Sequence, residues 1–303
     1  MPESHATVPS PMAIAVIGLG GIGSTFAFYL ARAGHNLTVV ARPGSLRLQQ
    51  LQRDQGVVTA SGTRQTMKVA DHLDEAAAYD LVLVTTLAHQ VEAVAPALQR
   101  SQAKAIQFMF NTFEPERLGS SVGAERCSFG MPFVAATVGE DGALNATINP
   151  GQKTLHGDAR WAALFTLAGL PSAFEPDMPL WLRCHTPMCV AMESICFTAQ
   201  RRGAGATWAE AMIVSRGVHA AYAVIEGLGY RVYPRSKAIL KASPPFVTAA
   251  LLWFVSRIAS FRALLATGDQ ECRVLAGVMA QAATRATPTL PAASTAIRAM
   301  TPR

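Results

Sequence analysis

The sequence predicts an α/β fold in two parts, a doubly wound parallel sheet followed by an all-helical half. Three observations predict it. Strand-length apolar runs alternate with helix-length runs through the first half. The first apolar run ends in a G-x-G-x-x-G pattern that leads directly into a helical stretch. Beyond Trp181 the pattern is helical almost to the end.

Taken in order, residues 13–17 read as the first strand and 24–33 as a helix closed by Gly34 as a C-terminal cap. Residues 36–41 form a second strand, and 46–55 a helix that stops at Gly56. Residues 57–60 and 65–69 flank Ser61-Gly62 as a hairpin. Residues 81–85 are a buried strand, 90–100 its helix and 105–110 the next strand. Residues 128–137 and 153–155 read as strands, with Glu140-Asp-Gly a turn between them. Pro171, Pro176 and Pro179 punctuate a linker. Helices then follow over 188–201, 207–227, 245–266 and 270–284. There is no internal repeat. The partition expected is a flexible arm over 1–11, a Rossmann dinucleotide-binding domain over 12–175, and a helical substrate and dimerisation domain over 176–303.

The chain has 303 residues, half of them hydrophobic, which is ample for a buried core. Its formal charge is +6 with no basic block. That favours anionic small-molecule ligands, and without a basic stripe no nucleic-acid partner is expected. The five cysteines include no C-x-x-C pair, so reduced, mostly buried thiols in the cytoplasm fit best. The polar arm lacks a signal-peptide core. The most apolar run, 246–255, is too short to span a bilayer, which takes about 20 apolar residues, so no membrane is expected. It reads as a buried helix or the face of a homodimer.

Chemistry concentrates in Gly18-Leu19-Gly20-Gly21-Ile22-Gly23. Gly18 makes the tight strand-to-helix turn, Gly20 lets a diphosphate approach the backbone, and Gly23 lets the helix pack on the strand. Free N–H groups at the helix start would hold the phosphates. A glycine-rich turn with no ligand is the alternative. An NAD site usually carries Asp or Glu at the end of the second strand. Here Ala41-Arg42-Pro43 offers no carboxylate, and the Arg42 guanidinium suits a 2′-phosphate, which favours NADP over NAD. A solvated loop arginine is the alternative. No histidine has ligand spacing such as H-E-x-x-H, so no metal is expected. No G-x-S-x-G marks a serine nucleophile.

Several motifs, in this order and spacing, resemble the ketopantoate reductase (2-dehydropantoate 2-reductase) family. They are the glycine fingerprint, Ala41-Arg42, Leu81-Val-Leu-Val-Thr-Thr86 with Gln90-Val91, and Phe110-Asn111. Gly130-Met-Pro-Phe-Val-Ala-Ala136, Pro179-Leu-Trp181 and Glu271-Cys-Arg-Val-Leu-Ala-Gly277 continue the series over nearly the whole chain. The resemblance implies a nicotinamide-dependent reduction of a 2-oxo acid. It places Thr86, Leu87 and Ala136 along the cofactor. It makes Asn111 a contact to nicotinamide ribose and substrate, and Glu271 a ligand of the ribose near the reacting centre. A turn asparagine and a solvated glutamate are the plain alternatives.

Departures from the family pattern are as informative. The catalytic lysine slot falls on Arg183, and the two substrate asparagines of the next turns fall on Pro187 and Ala191. The lysine after the fourth strand falls on Leu87, and the serine twelve residues before the glutamate on Ala259, with Ser260 one place later. Arginine stays charged, so it can bind a carboxylate or polarise a carbonyl but is a poor proton donor. His185 is the nearest other candidate. Thr186-Pro187 reads as a helix start, which would leave Arg183 and His185 in extended chain on one side; on a helix they would oppose each other. A merely polar histidine is the alternative.

The reading that follows is an NADPH-dependent reductase of a carbonyl (2-oxo acid or ketone) or imine. Its substrate is a small molecule other than ketopantoate and more apolar, with Phe113, Met188 and Met192 lining the cleft or simply filling core. A non-catalytic NADP-binding regulator and a redox-neutral enzyme on the same fold are the alternatives.

Overall fold

Buried Val, Ile and Leu runs build the first half around one sheet. The computed structural model describes residues 10–265 and 269–302. In chain order the elements are β1 (Ala13–Ile17), α1 (Gly21–Arg32), β2 (Asn36–Val40), α2 (Leu46–Asp54), β3 (Gly56–Val58), β4 (Arg64–Thr66), β5 (Lys68–Ala70) and β6 (Leu81–Val84). Next come α3 (Ala95–Arg100), β7 (Ile106–Met109), α4 (Pro115–Val122), β8 (Cys127–Met131), β9 (Ala135–Val138), β10 (Leu144–Thr147), β11 (Thr154–His156), α5 (Ala159–Leu167) and β12 (Ser172–Phe174). The helical half holds α6 (Met178–Arg202), α7 (Trp208–Gly227), α8 (Arg235–Ala242), α9 (Pro245–Val255), α10 (Ala259–Leu265), α11 (Asp269–Ala282) and α12 (Pro291–Ala299).

Eight strands form the main sheet in the order β12-β11-β8-β7-β6-β1-β2-β5. It is parallel except where β11 runs against β8. The chain winds from β1 towards β2 and β5, then returns to add β6, β7 and β8 on the other side. The reversal lies between β1 and β6, and the crevice beyond the carboxyl ends of such strands is where open α/β sheets bind ligands. The doubly wound α/β sheet followed by helices is the architecture the alternation predicts.

The chain divides into two compact units. The first holds residues 1–86, 94–109 and 121–174; the second holds 87–93, 110–120 and 175–303. Two short pieces of the first half thus fold with the helices. The first unit's core gathers Ile14, Val16, Phe26, Leu30, Leu81 and Phe165, all with essentially no exposure. The second is centred on α6, α7 and α11, with Tyr222, Val218, Cys196 and Met279 fully buried.

Local expectations needed correction at several places. The strand expected over 128–137 is split into β8 and β9, and β9 pairs antiparallel with β10 as a separate hairpin. Pro132 interrupts the run, because it donates no ladder hydrogen bond. The expected linker contains the edge strand β12. The helix expected to begin at Thr186-Pro187 begins at Met178, with Asp177 Oδ1 accepting from Leu180 N at 3.3 Å and Pro179 in the first turn. Pro187 lies inside it. The proline signal was sound, but Pro179 is the one at the helix start. Arg183 and His185 are therefore helical and do not share a face. The single helix expected over 245–266 is α9 and α10; Ala266 and the first nine residues of the arm expected over 1–11 lie outside the described residues. α4, α5, α8 and α12 were not foreseen.

Among the described residues no single helix is long and apolar enough to cross a membrane, and α8 with α9 passes that test only as a pair bent by 113°.

Candidate active site

In the first unit the glycine-rich loop follows β1. Gly18 has φ +94°, and a Cβ there would stand 2.7 Å from the Thr86 backbone nitrogen, so the turn is pressed against the chain leaving β6. A Cβ at Gly23 would overlap the Gly18 carbonyl and the Thr85 hydroxyl, and one at Gly21 would overlap the Ala136 carbonyl of β9. At Gly20 a Cβ would meet no atom within 4 Å. Three glycines are thus closed by packing, and Gly20 alone opens onto free space. Gly20 is also the N-cap of α1 and supplies no side-chain cap, so the first helical N–H groups keep no side-chain partner. Leu19 is buried in the core and Ile22 packs against it.

Two residues near the loop bear on a ligand. The Thr86 hydroxyl is buried without a hydrogen-bond partner. Arg47, missed in the sequence, braces the loop: Nε donates to the Leu19 carbonyl at 2.9 Å, Nη2 to Ser24 Oγ at 2.9 Å, and Nη1 to the Gly142 carbonyl at 2.9 Å. Arg42 follows β2, exposed, and forms no ion pair with any described residue. Open room at one glycine, unpaired helix-start amides, an orphaned hydroxyl and a free guanidinium fit the diphosphate and ribose phosphate of a dinucleotide.

The second unit carries the other candidates. Asn111 stands two residues beyond the end of β7 and is 8% exposed. Its Nδ2 donates to Cys189 Sγ at 2.9 Å, while its Oδ1 is buried with no partner. Cys189 donates to Glu193 Oε1 at 3.2 Å, and Cys272 of α11 approaches Glu193 Oε2 at 3.6 Å. Trp181, His185, Cys189 and Glu193 are spaced by four and form one stripe along α6. Trp181 and His185 stack, with ring centroids 4.4 Å apart. Lys237 of α8 completes the row, its Nζ 3.1 Å from His185 Nδ1 and 4.3 Å from the Trp181 ring centroid.

Burial pushes every one of these groups towards its neutral form. The Glu193 carboxyl rises to about 7, first through burial and then through the nearby Glu271. Burial, then the Lys237 charge, hold His185 well below its usual value. Burial brings Lys237 down to about 8. Burial also raises Glu271. The Glu271 carboxylate accepts from Ala88 N at 3.1 Å and lies 3.2 Å from His89 Nδ1, which fixes the 87–93 turn against α11.

Arg183 departs from the expectation that it anchors substrate. It points away from the stripe and is 4% exposed. Its terminal nitrogens are both taken by Glu116, at 3.1 and 2.5 Å, and its guanidinium stacks 4.1 Å from the Tyr230 ring centroid. The remaining Nε is buried without a partner. A bidentate carboxylate leaves no free fork for a ligand. Pro187 and Ala191, the slots counted from Arg183, are buried apolar positions. The face beside Asn111 is 185–189–193, two residues out of phase with 183–187–191. Phe113 is wholly buried core, with Met188 and Met192 packed against the same cluster. Ser260 is exposed on α10, and Leu87 is 41% exposed. Among the described residues no three His, Cys, Asp or Glu gather as a metal-holding group.

Sequence reasoning did not single out Cys189, Glu193, Lys237 or His89. For the first two the signal was available: once α6 is taken as helical from Met178, the spacing of four from Trp181 selects them. For Lys237 nothing short of the α8–α6 packing would do.

Residues 14–159 match the family model described as ketopantoate reductase PanE/ApbA. No curated protein is similar enough in sequence to match. Among solved structures, a PanE/ApbA family ketopantoate reductase from Ralstonia eutropha JMP134 is similar at TM-score 0.71 and 20% identity, over 95% of this chain and 97% of that one. A 2-dehydropantoate 2-reductase from Methylococcus capsulatus gives TM-score 0.67 at 17% identity, over 95% of each chain. D-mandelate dehydrogenase in complex with NADH gives TM-score 0.70 at 15% identity, over 96% of this chain and 97% of that one.

Proposed function

We propose that this chain is a divergent member of the ketopantoate reductase family, whose model matches residues 14–159, and that it uses NADPH to reduce the carbonyl of a 2-oxo acid other than ketopantoate. The observation that carries the reading is the buried, unpartnered Oδ1 of Asn111 just beyond the end of β7. A buried acceptor without a donor costs about 1–3 kcal/mol, which a ribose or substrate hydroxyl would recover.

The residues of the first unit fit the cofactor by type. The amides of Gly21, Ile22 and Gly23 would hold the diphosphate over Gly20, and the Thr86 hydroxyl would gain its missing partner. Arg42 would pair with the 2′-phosphate, where an NAD site would place a carboxylate. When bound, the reduced nicotinamide supplies a hydride. Asn111 orients a hydroxyl, and Glu271 orders the 87–93 turn.

The substrate face argues against ketopantoate itself. The resemblance leads one to expect amide side chains there, whereas the stripe presents an imidazole, a thiol and a carboxyl of raised pKa. A site built with different donors rejects a hydroxylated substrate strongly. The same reading keeps the chain in the cytoplasm as a homodimer, with exposed Phe246, Leu251 and Phe254 of α9 as its contact face.

The test follows NADPH and NADH oxidation against a panel of 2-oxo acids of rising side-chain size, with ketopantoate included. NADPH-dependent turnover of a larger, less polar member is expected. Ketopantoate as best substrate, or no oxidation of either coenzyme, would refute the proposal.

A further inference from the structure

We propose that Lys237 and His185 form the proton source of this enzyme, a lysine on α8 working through an imidazole on α6. The inference rests on the reductase reading above and names the residues that complete its chemistry.

The geometry is specific. Lys237 Nζ lies 3.1 Å from His185 Nδ1. An ammonium has only donors, so Nδ1 accepts, and the ring hydrogen of the neutral imidazole is on Nε2. The Trp181 ring holds both partners: it stacks on His185 and lies under the ammonium at 4.3 Å. His185 precedes Cys189 by one turn on the same face, and Cys189 accepts from Asn111. The pair therefore stands one helical turn from the thiol that pairs with Asn111, whose other side-chain atom is the orphaned acceptor.

Apart from the Trp181 ring face, no described group offers Lys237 a charge partner. The titrating groups around it are His185, Cys184 and Cys189, all on α6. Among the described residues no carboxylate pairs with it. A half-buried ammonium without a counter-ion is costly, whereas an apolar side chain over Trp181 would pack without that cost. The compensation is reactivity, since burial brings this amine to about 8, close to the value a proton donor needs near neutral pH. Arg183 cannot serve, because Glu116 occupies it.

The step balances. Hydride addition at the carbonyl carbon moves the C=O π pair onto oxygen. That oxygen takes the proton from His185 Nε2, and Nδ1 takes one from Lys237 Nζ. The imidazole is left neutral as its other tautomer, and the neutral amine regains a proton from water.

The experiment compares the native chain with Lys237→Met, Lys237→Arg and His185→Gln. It measures kcat, KM, the pH profile and NADPH affinity by fluorescence. It also follows the Lys237 ammonium directly, by NMR titration of the reductively methylated protein against Lys237→Arg. Lysine replacement is expected to lower kcat about 10²–10⁴-fold with little change in KM or NADPH affinity. It should also remove the basic limb near pH 8. Lys237→Arg keeps a cation over Trp181, so it serves as the folded control, and it should be as slow as Lys237→Met because arginine does not release its proton. In the native chain one methylated lysine should titrate near 8 and be missing from the arginine variant. Native turnover with kcat and the basic limb unchanged in Lys237→Arg would overturn the inference and leave the reductase reading standing. A native chain that binds NADPH and reduces no carbonyl would overturn both.

Discussion

Glu193→Gln isolates the physical cost of the stripe on α6. Glu193 is 9% exposed, and its carboxyl is raised from 4.5 to about 7, chiefly by burial. The sign follows from proton binding. Below about pH 4.5 the group is protonated in both folded and unfolded chains, and its environment costs nothing. Between 4.5 and 7 the unfolded chain releases the proton and the folded chain keeps it, so stability falls as pH rises. At about 1.4 kcal/mol per pKa unit, the loss reaches roughly 3 kcal/mol above pH 7. Glutamine is isosteric and neutral, and its amide oxygen still accepts from a thiol. The variant should match the native chain at pH 4.5 and exceed it by up to about 3 kcal/mol at pH 8. Urea unfolding at both pH values, followed by far-UV circular dichroism, reads the difference directly. Groups that do not touch Glu193 cancel between the two proteins, and its neighbour Glu271 is followed by the parallel variant Glu271→Gln. Equal pH dependence in both chains, or a variant weaker at pH 8, would refute the claim that Glu193 is buried against its charge.

Other outcomes follow from the first unit. Gly20→Ala should fold normally, since a Cβ there meets nothing within 4 Å, yet lose NADPH affinity at least tenfold by titration; Gly21→Ala should lower the melting temperature, because its Cβ meets the Ala136 carbonyl. Arg42→Ala should weaken NADPH binding tenfold or more and leave NADH binding unchanged; equal loss for both coenzymes would exclude a 2′-phosphate contact. His156 is fully buried against Gln107 at 3.0 Å, and burial lowers it to about 3. Its contribution is intact above pH 6.5 and lost as pH falls. Native chain and His156→Gln, compared by unfolding, should therefore differ less at pH 4.5 than at pH 7, by about 3 kcal/mol.

The sheet was legible because its evidence is local. An apolar run, a glycine and a helical period each occupy a few consecutive residues, and β1, β2, β6 and β7 fall where those signals stand. The open space at Gly20 and the close packing at Gly23 could likewise be read from spacing, because backbone approach depends only on the missing Cβ. Gly21 could not, for the Ala136 carbonyl that closes it belongs to a hairpin more than a hundred residues away. The helical half was legible in content and not in phase. Pro179 and Pro187 look alike in sequence, and placing the helix start at the wrong one hid the face to which His185 belongs. α8 escaped notice because its eight residues show no buried stripe: the helix buries none of them fully.

The phase of α6 decides the chemistry more than any single residue does. With the helix unbroken from Met178, residue 183 turns to Glu116, while 185 meets Lys237, 189 meets Asn111 and 193 meets the thiols of Cys189 and Cys272. A strong cation moved out of the row and bound by a carboxylate cannot donate a proton or fix a dipole at the reacting carbon. What remains in the row is a set of groups held near neutrality by burial: a carboxyl raised to about 7, an amine lowered to about 8 and an imidazole without charge. The carboxyl and the amine have proton affinities that lie close together near neutral pH, and the neutral imidazole can take a proton at one ring nitrogen and release one from the other. A row of fully ionised side chains would offer stronger fields but no transferable proton. The absence of lysine from α6 is therefore compatible with carbonyl reduction, provided that the amine arrives from another helix and the imidazole carries its proton inward.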